Sequence, residues 1–328
     1  MQSNVFLIIR TVVISAIVIS GMHINATGAI IADHSAVNQF DSIPANIVQS
    51  ISSDYSLYYV HTSHGSQIMT GLDMVYTEST LYLEPSFHEV GDDLGHNGDT
   101  SWVPATRAYL SSHPDCNVAM FSWCGGCSDN TETGINVYLN KMTELESDYP
   151  DVIFIYMTGH LDGTGPGGNL YARNNQIRDY CQANDRILFD FADIESYDPD
   201  GNYYPDESDY CSWCYDWCAA HPCPGCGGCA HSHCFNCYLK GKAWWWMMAR
   251  IEGWEPGDDT VFVCGDVDDN DVVNLLDITA LIDYLYRGGP PPEPMESGDV
   301  NNSGEINLLD ITYLINYLYR EGPEPDCP

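Results

Sequence analysis

The sequence predicts an α/β body followed by a short, duplicated helical tail. Three observations carry this expectation. Across residues 30–253, short apolar runs alternate with longer stretches of helical periodicity, the pattern of strands and helices wound about a parallel sheet. A block at residues 265–289, GDVDDNDVVNLLDITALIDYLYRGG, recurs at 298–322 as GDVNNSGEINLLDITYLINYLYREG, at a constant offset of 33 residues. Between body and repeat, residues 254–264 break the pattern with Pro256-Gly257 and three acidic residues, and read as a linker.

Composition narrows the function classes. The 328 residues hold 11 Lys plus Arg against 47 Asp plus Glu, a formal charge of −36. Such a chain lacks the basic footprint that nucleic acid or an anionic membrane requires. Hydrophobic residues make up 44%, enough for a core rather than a disordered chain. Fourteen cysteines imply an oxidising compartment or metal. The N-terminus decides between these. Residues 1–29 read as a secretory signal: Arg10 is its only Lys or Arg, the run Thr11–Met22 is uncharged, and Ala26, Thr27, Gly28 and Ala29 offer a cleavage site. An uncleaved anchor is the rival reading, but the run is short against the roughly 20 residues a spanning helix needs. The expected product is secreted, extracellular or attached at the cell surface, with no stable membrane span in the mature chain.

Within the body, Leu57–Val60, Phe87–Val90, Val118–Phe121, Val152–Met157 and Ile187–Phe191 are the expected buried strands. Helices are expected over Trp102–Ser111, Thr133–Glu146, Asn174–Asn184 and Lys240–Glu252. The stripe Trp244-Trp245-Trp246 reads as helix packing, with one ring free to face a pocket or a sugar. In open α/β sheets the site lies beyond the carboxyl ends of the strands. Those ends carry His61-Thr62-Ser63-His64-Gly65, Asn97-Gly98-Asp99, Trp123-Cys124-Gly125-Gly126-Cys127, Thr158-Gly159-His160 and Asp193-Ile194-Glu195, with Ala230-His231-Ser232-His233 before the last helix. An early serine with a late histidine suits nucleophile and base.

This layout resembles the SGNH (GDSL-like) hydrolase superfamily over roughly residues 50–252. The resemblance implies a three-layer α/β/α domain, Ser63 as nucleophile, His231 as general base, and the Gly98 amide as an oxyanion donor, with the His160 side chain as another. Two departures stand out. The family's Asp, three residues before the His, is Gly228 here, and its Gly-x-Asn-Asp block is missing. A simple helix cap at Ser63, and a metal held among His61, His64, His96, His160, His231 and His233, remain open beside it.

In the tail, oxygen-bearing residues recur at the spacing of a calcium loop: Asp266, Asp268, Asn270, Asn274 and Asp277, then Asp299, Asn301, Ser303, Asn307 and Asp310. The backbone carbonyls of Val272 and Glu305 would complete each set. Gly304 supplies the turn in the second loop, where the first has Asp271. Ile278, Leu281, Ile282 and Leu285, and their counterparts Ile311, Leu314, Ile315 and Leu318, mark one amphipathic helix per copy. Loop–helix units with Asp at the twelfth position resemble a type I dockerin domain, here at 265–328. That resemblance implies two Ca2+ ions and a cohesin partner, with Leu275-Leu276 and Leu308-Leu309 at the partner-choosing positions. A structural calcium tail without a cohesin is the plainer alternative. Cys264 and Cys327 bracket the tail and are expected to pair.

The other twelve cysteines lie between Cys116 and Cys237. Disulfides pinning the loop around His231 are the first reading, and a zinc site in the Cys-rich loop the second. The two resemblances together imply a secreted hydrolase of ester bonds, and the usual company of dockerins implies carbohydrate acyl esters on a polysaccharide as its substrate class. Its alternative is a non-catalytic secreted binding or scaffold protein on a degenerate fold.

Overall fold

The computed structural model describes residues 28–257, 262–270, 272–292, 294–320 and 322–327. The signal segment expected at 1–29 lies outside the described residues but for its last two. The body elements run β1 (Ile30–Ala32), α1 (His34–Asn38), α2 (Ala45–Asp54), β2 (Ser56–His61), α3 (Ser66–Glu78), β3 (Ser86–Gly91), α4 (Trp102–Ser112), β4 (Val118–Phe121), α5 (Glu132–Asp148), β5 (Ile153–Met157), α6 (Asn169–Ala183), β6 (Ile187–Phe189), α7 (Phe191–Ser196), α8 (Ser212–Ala220) and α9 (Cys234–Glu252). The tail adds α10 (Leu275–Arg287) and α11 (Leu308–Arg320).

The six strands form one sheet in the order β1-β6-β5-β4-β2-β3, and every pairing is parallel. A parallel neighbour cannot be reached by a tight turn, so a crossover helix separates successive strands. The chain starts at the edge strand β1, crosses to β2, steps outward to β3, then returns past β2 to β4 and on through β5 to β6 beside β1. The order therefore reverses between β2 and β4, where a crevice opens at the strand ends. Helices pack in two groups: α1, α2, α3 and α7 against α9, and α4 and α6 against α5. The apolar runs buried on both faces, such as Val118–Phe121, all at 0% exposure, are what a covered parallel sheet demands.

All five expected strands form, but β3, expected as buried, is an edge strand with no buried residue. Two further details differ. Ile187–Phe191 stops at Phe189, because Asp190 caps α7 by accepting from the Asp193 N–H, so Asp193 and Glu195 lie on a helix rather than at a strand end. The three-residue edge strand β1 is too short to carry a periodic signal. Trp244, Trp245 and Trp246 are all buried, so none of the three lines an open pocket or meets a sugar.

One contact fixes where the site residues meet. Helices α3 and α9 cross at Gly71 and Gly241, so closely that a Cβ on Gly71 would fall 2.0 Å from the Cys237 carbonyl oxygen. Only glycine permits that approach. The turn before α3 carries Ser63, and the loop before α9 carries His231.

Candidate functional site

Ser63 follows β2 by two residues, and its hydroxyl lies 2.9 Å from Nε2 of His231, 168 positions away in sequence. Two of the expected catalytic residues are thus in hydrogen-bond contact. His231 holds a left-handed backbone with φ of +62°, a conformation that a non-glycine residue keeps only where its surroundings enforce it. Disulfides Cys226–Cys234 and Cys229–Cys237 tie the loop to the first turn of α9 on both sides of His231. The Gln67 side-chain amide donates to the Ala230 carbonyl at 2.6 Å. That amide is held in turn by Lys240, whose ammonium donates to Gln67 Oε1 and to Glu195 Oε1 at 2.8 Å. Lys240 and Glu195 are both fully buried. Burial pushes the Lys240 pKa down and the Glu195 carboxylate acts against that shift. Glu195 also accepts from the Leu161 N–H at 2.7 Å, so one buried pair braces both the His231 loop and the end of β5.

Gly98 has a left-handed backbone, with φ of +77°. It packs on the first turn of α5, where a Cβ would lie 3.2 Å from Gly134 Cα. His160 is near but committed: its ring nitrogens face the carbonyl oxygens of Leu161, at 2.8 Å, and Cys124, at 2.6 Å. Its ring is stacked 3.6 Å face to face with that of His64. His64 stacks on His231 at 4.5 Å from the other side.

His64 is the member that the sequence reading left unassigned. Its Nε2 donates to Asp209 Oδ2 at 3.0 Å, and its Nδ1 lies 3.5 Å from the Cys124 thiol. Burial and the neighbouring His160 lower its pKa, against the pull of Asp209. Asp209 sits in a loop with no periodic or motif signal, so sequence alone gave no reason to select it. His64, Asp209 and His231 also bring ligand atoms within 4.8 Å of one another. The remaining histidines of the metal alternative are elsewhere: His61 pairs with Glu89, His96 with Asp129, and His233 caps α9. Beside this cluster a cavity of about 230 Å³ is lined by Leu161, Tyr171, Tyr197, Tyr203 and Glu207, among others, and not by Ser63 or His231.

The Cys-rich loop is disulfide-bonded, which corrects the zinc alternative there. Cys211–Cys214, Cys218–Cys223, Cys226–Cys234 and Cys229–Cys237 leave no thiolate in it for a metal. The expectation that all twelve body cysteines pair is corrected as well, since Cys116, Cys124, Cys127 and Cys181 are free thiols.

In the tail, Cys264 and Cys327 pair as expected, closing 63 residues. The carboxylates of Asp266, Asp268 and Asp277 converge within 4.8 Å. Asp277 Oδ1 accepts from the N–H of Val267 and Asp268, and its Oδ2 from Asn274. Asp310 repeats part of this role by accepting from the Asn307 N–H and the Asn301 side chain. Asn270, Ser303 and the carbonyls of Val272 and Glu305 lie within the same two loops' hydrogen-bond networks. Gly304 has φ of +84°, while Asp271 lies outside the described residues. Like charges gathered in an all-oxygen set, with Asp266 and Asp277 buried and Asp268 exposed, fit a hard divalent cation, and the donors fit calcium. Desolvation and the Asp277 charge push up the pKa of Asp268.

The tail therefore belongs to the class of duplicated calcium-loop modules. More particularly, residues 264–319 match the family model of the dockerin type I domain. Such a domain binds calcium and implies a cohesin partner. No curated protein matches this chain. No described helix is long and apolar enough to cross a membrane.

Proposed function

We propose that the chain is an extracellular ester hydrolase, carried on a cohesin scaffold by its dockerin domain. The observation that carries the reading is the 2.9 Å contact between Ser63 Oγ and His231 Nε2 at the point where strand order reverses. His231 removes the hydroxyl proton as Oγ attacks an acyl carbon, and returns it to the leaving alcohol. The developing oxyanion faces the positive end of the α3 dipole, ahead of the Ser66, Gln67 and Ile68 N–H groups, which are bonded to the carbonyls of Thr62, His64 and Gly65. The Gly98 amide is the other donor proposed for it. Support for a three-layer, SGNH-like body comes from the strand order and the two helix groups, which right-handed crossovers put on opposite faces. The tyrosine-lined cavity beside Leu161 suits a sugar ring bearing the ester, the substrate class we propose.

The test is p-nitrophenyl acetate hydrolysis by the intact protein against Ser63→Ala. Equal rates would remove Ser63 as nucleophile. One observation favours the alternative of a non-catalytic binding or scaffold protein: among the described residues, no carboxylate orients His231, because Asp209 is spent on His64. A divalent cation on His64, Asp209 and His231 is tested in the same assay, since EDTA would then abolish hydrolysis.

A further inference from the structure

We propose that Cys124 is a second nucleophile in this pocket, with His64 as its base and Asp209 as the residue that positions the base. Cys124 follows β4 and Ser63 follows β2, so the two flank the strand reversal, and their Oγ and Sγ atoms are 3.8 Å apart. One acyl carbon in the crevice is within reach of either. The thiol, imidazole and carboxylate form an unbroken chain: Cys124 Sγ to His64 Nδ1 at 3.5 Å, then His64 Nε2 to Asp209 Oδ2 at 3.0 Å. A carboxylate can only accept, so Asp209 fixes the proton on Nε2 and leaves the Nδ1 lone pair facing the thiol. That is the arrangement of a nucleophile, a base and an orienting acid. The Ser63–His231 pair lacks the third member. Cys124 is also the one free thiol, among the described residues, that is not buried. Burial pushes Cys127 up to about 12, so it cannot compete.

The proposal shares with the Ser63 reading only the premise of an acyl substrate. As Sγ bonds to the acyl carbon, the thiol proton passes to His64 Nδ1. The bond from that carbon to the leaving oxygen breaks, and the oxygen takes the proton from Nδ1 to become an alcohol. Water then attacks the thioester carbon, giving a proton to Nδ1. The carbon–sulfur bond breaks, the thiolate regains the proton, and a carboxylic acid leaves.

Two measurements on the full chain test it. In the first, wild type and Ser63→Ala are mixed with p-nitrophenyl acetate, quenched in acid and mapped by mass spectrometry. An acetyl group on Cys124, removed by neutral hydroxylamine, is expected in both. Its absence from Cys124 in both would overturn the proposal. In the second, iodoacetamide labelling of Cys124 is expected to slow about tenfold in His64→Ala and Asp209→Asn, as loss of a positioned base requires. Labelling at the wild-type rate in both variants, each shown folded by circular dichroism, would overturn it as well. The two readings separate cleanly. If Ser63→Ala hydrolyses at the wild-type rate and Cys124 carries the acetyl, the serine reading falls and the thiol stands. If only Ser63 is acetylated, the reverse holds.

Discussion

The calcium loops and the strand-end cluster are both built from polar residues, yet they are assembled in opposite ways. Each loop gathers its ligands from twelve consecutive residues, Asp266 to Asp277 and Asp299 to Asp310, so the site is a property of local chain geometry. The cluster draws Ser63, His64, Cys124, His160, Asp209 and His231 from five separate segments. It exists only when the sheet, the α3–α9 crossing and the disulfides are in place. A local site should fail alone and at small structural cost. An assembled one should fail with its scaffold.

Calcium withdrawal is the largest expected effect on the local side. Each ion held at about a thousand times its Kd stabilises the folded tail by about 4 kcal/mol, so two contribute about 8. EDTA should unfold α10 and α11, read by circular dichroism, with p-nitrophenyl acetate hydrolysis unchanged. Isothermal titration should count two ions, and Asp277→Ala should leave one. Loss of hydrolysis with EDTA in a variant whose calcium loops are already disabled by Asp277→Ala and Asp310→Ala would place the cation at His64, Asp209 and His231, and loss only with intact loops would show that the two regions are not independent.

On the assembled side, Ser63→Ala is expected to lower kcat about a thousandfold, about 4 kcal/mol in barrier, within the span of nucleophile-and-base catalysis. The Cys264–Cys327 clasp comes next. By loop entropy, closing 63 residues contributes roughly 4 kcal/mol to the tail. A double Cys→Ser variant should therefore unfold at lower denaturant while the body transition stays in place. Lys240→Met strands a fully buried Glu195 carboxylate and should cost about 3 kcal/mol or more in body stability. Urea melting would show it, and it should loosen His231 through Gln67.

The smallest effect is on pH. His64 has a folded pKa below its ordinary 6.5, so the unfolded chain takes up its proton first as pH falls. Body stability should therefore decline on acidification below about 6.5, with this slope absent in His64→Gln. The raised pKa of His34, from its Asp193 partner, acts with the opposite sign. Its contribution is fully present below 6.5 and is lost as pH rises through the higher folded value.

Much of the fold was legible in the sequence because buried strands need unbroken apolar runs and helices need a period. Val118–Phe121 was legible to the residue. Helix α3 was not, since its buried face mixes Gln67, Gly71 and Met74 with the aliphatic residues and weakens the periodic signal. Ser63 and His231 were legible from their places at a strand end and before the last helix. Glu195 was noticed for the wrong place in the fold, on a strand rather than in α7. Its bond to Lys240, a lysine with no exposed surface, could not be read from charge alone.

The sequence by itself determined the tail: loop spacing, helix period and bracketing cysteines are local, and an oxygen ligand set within one short segment has few ways to fold around an ion. Only the tertiary structure decided the body's chemistry. It placed Asp209 on His64 rather than on His231, packed Gly98 against α5, closed eight cysteines into disulfides and left Cys124 free beside Ser63. Pairings between residues up to 168 positions apart depend on strand order and a glycine–glycine helix crossing. No window of sequence contains either.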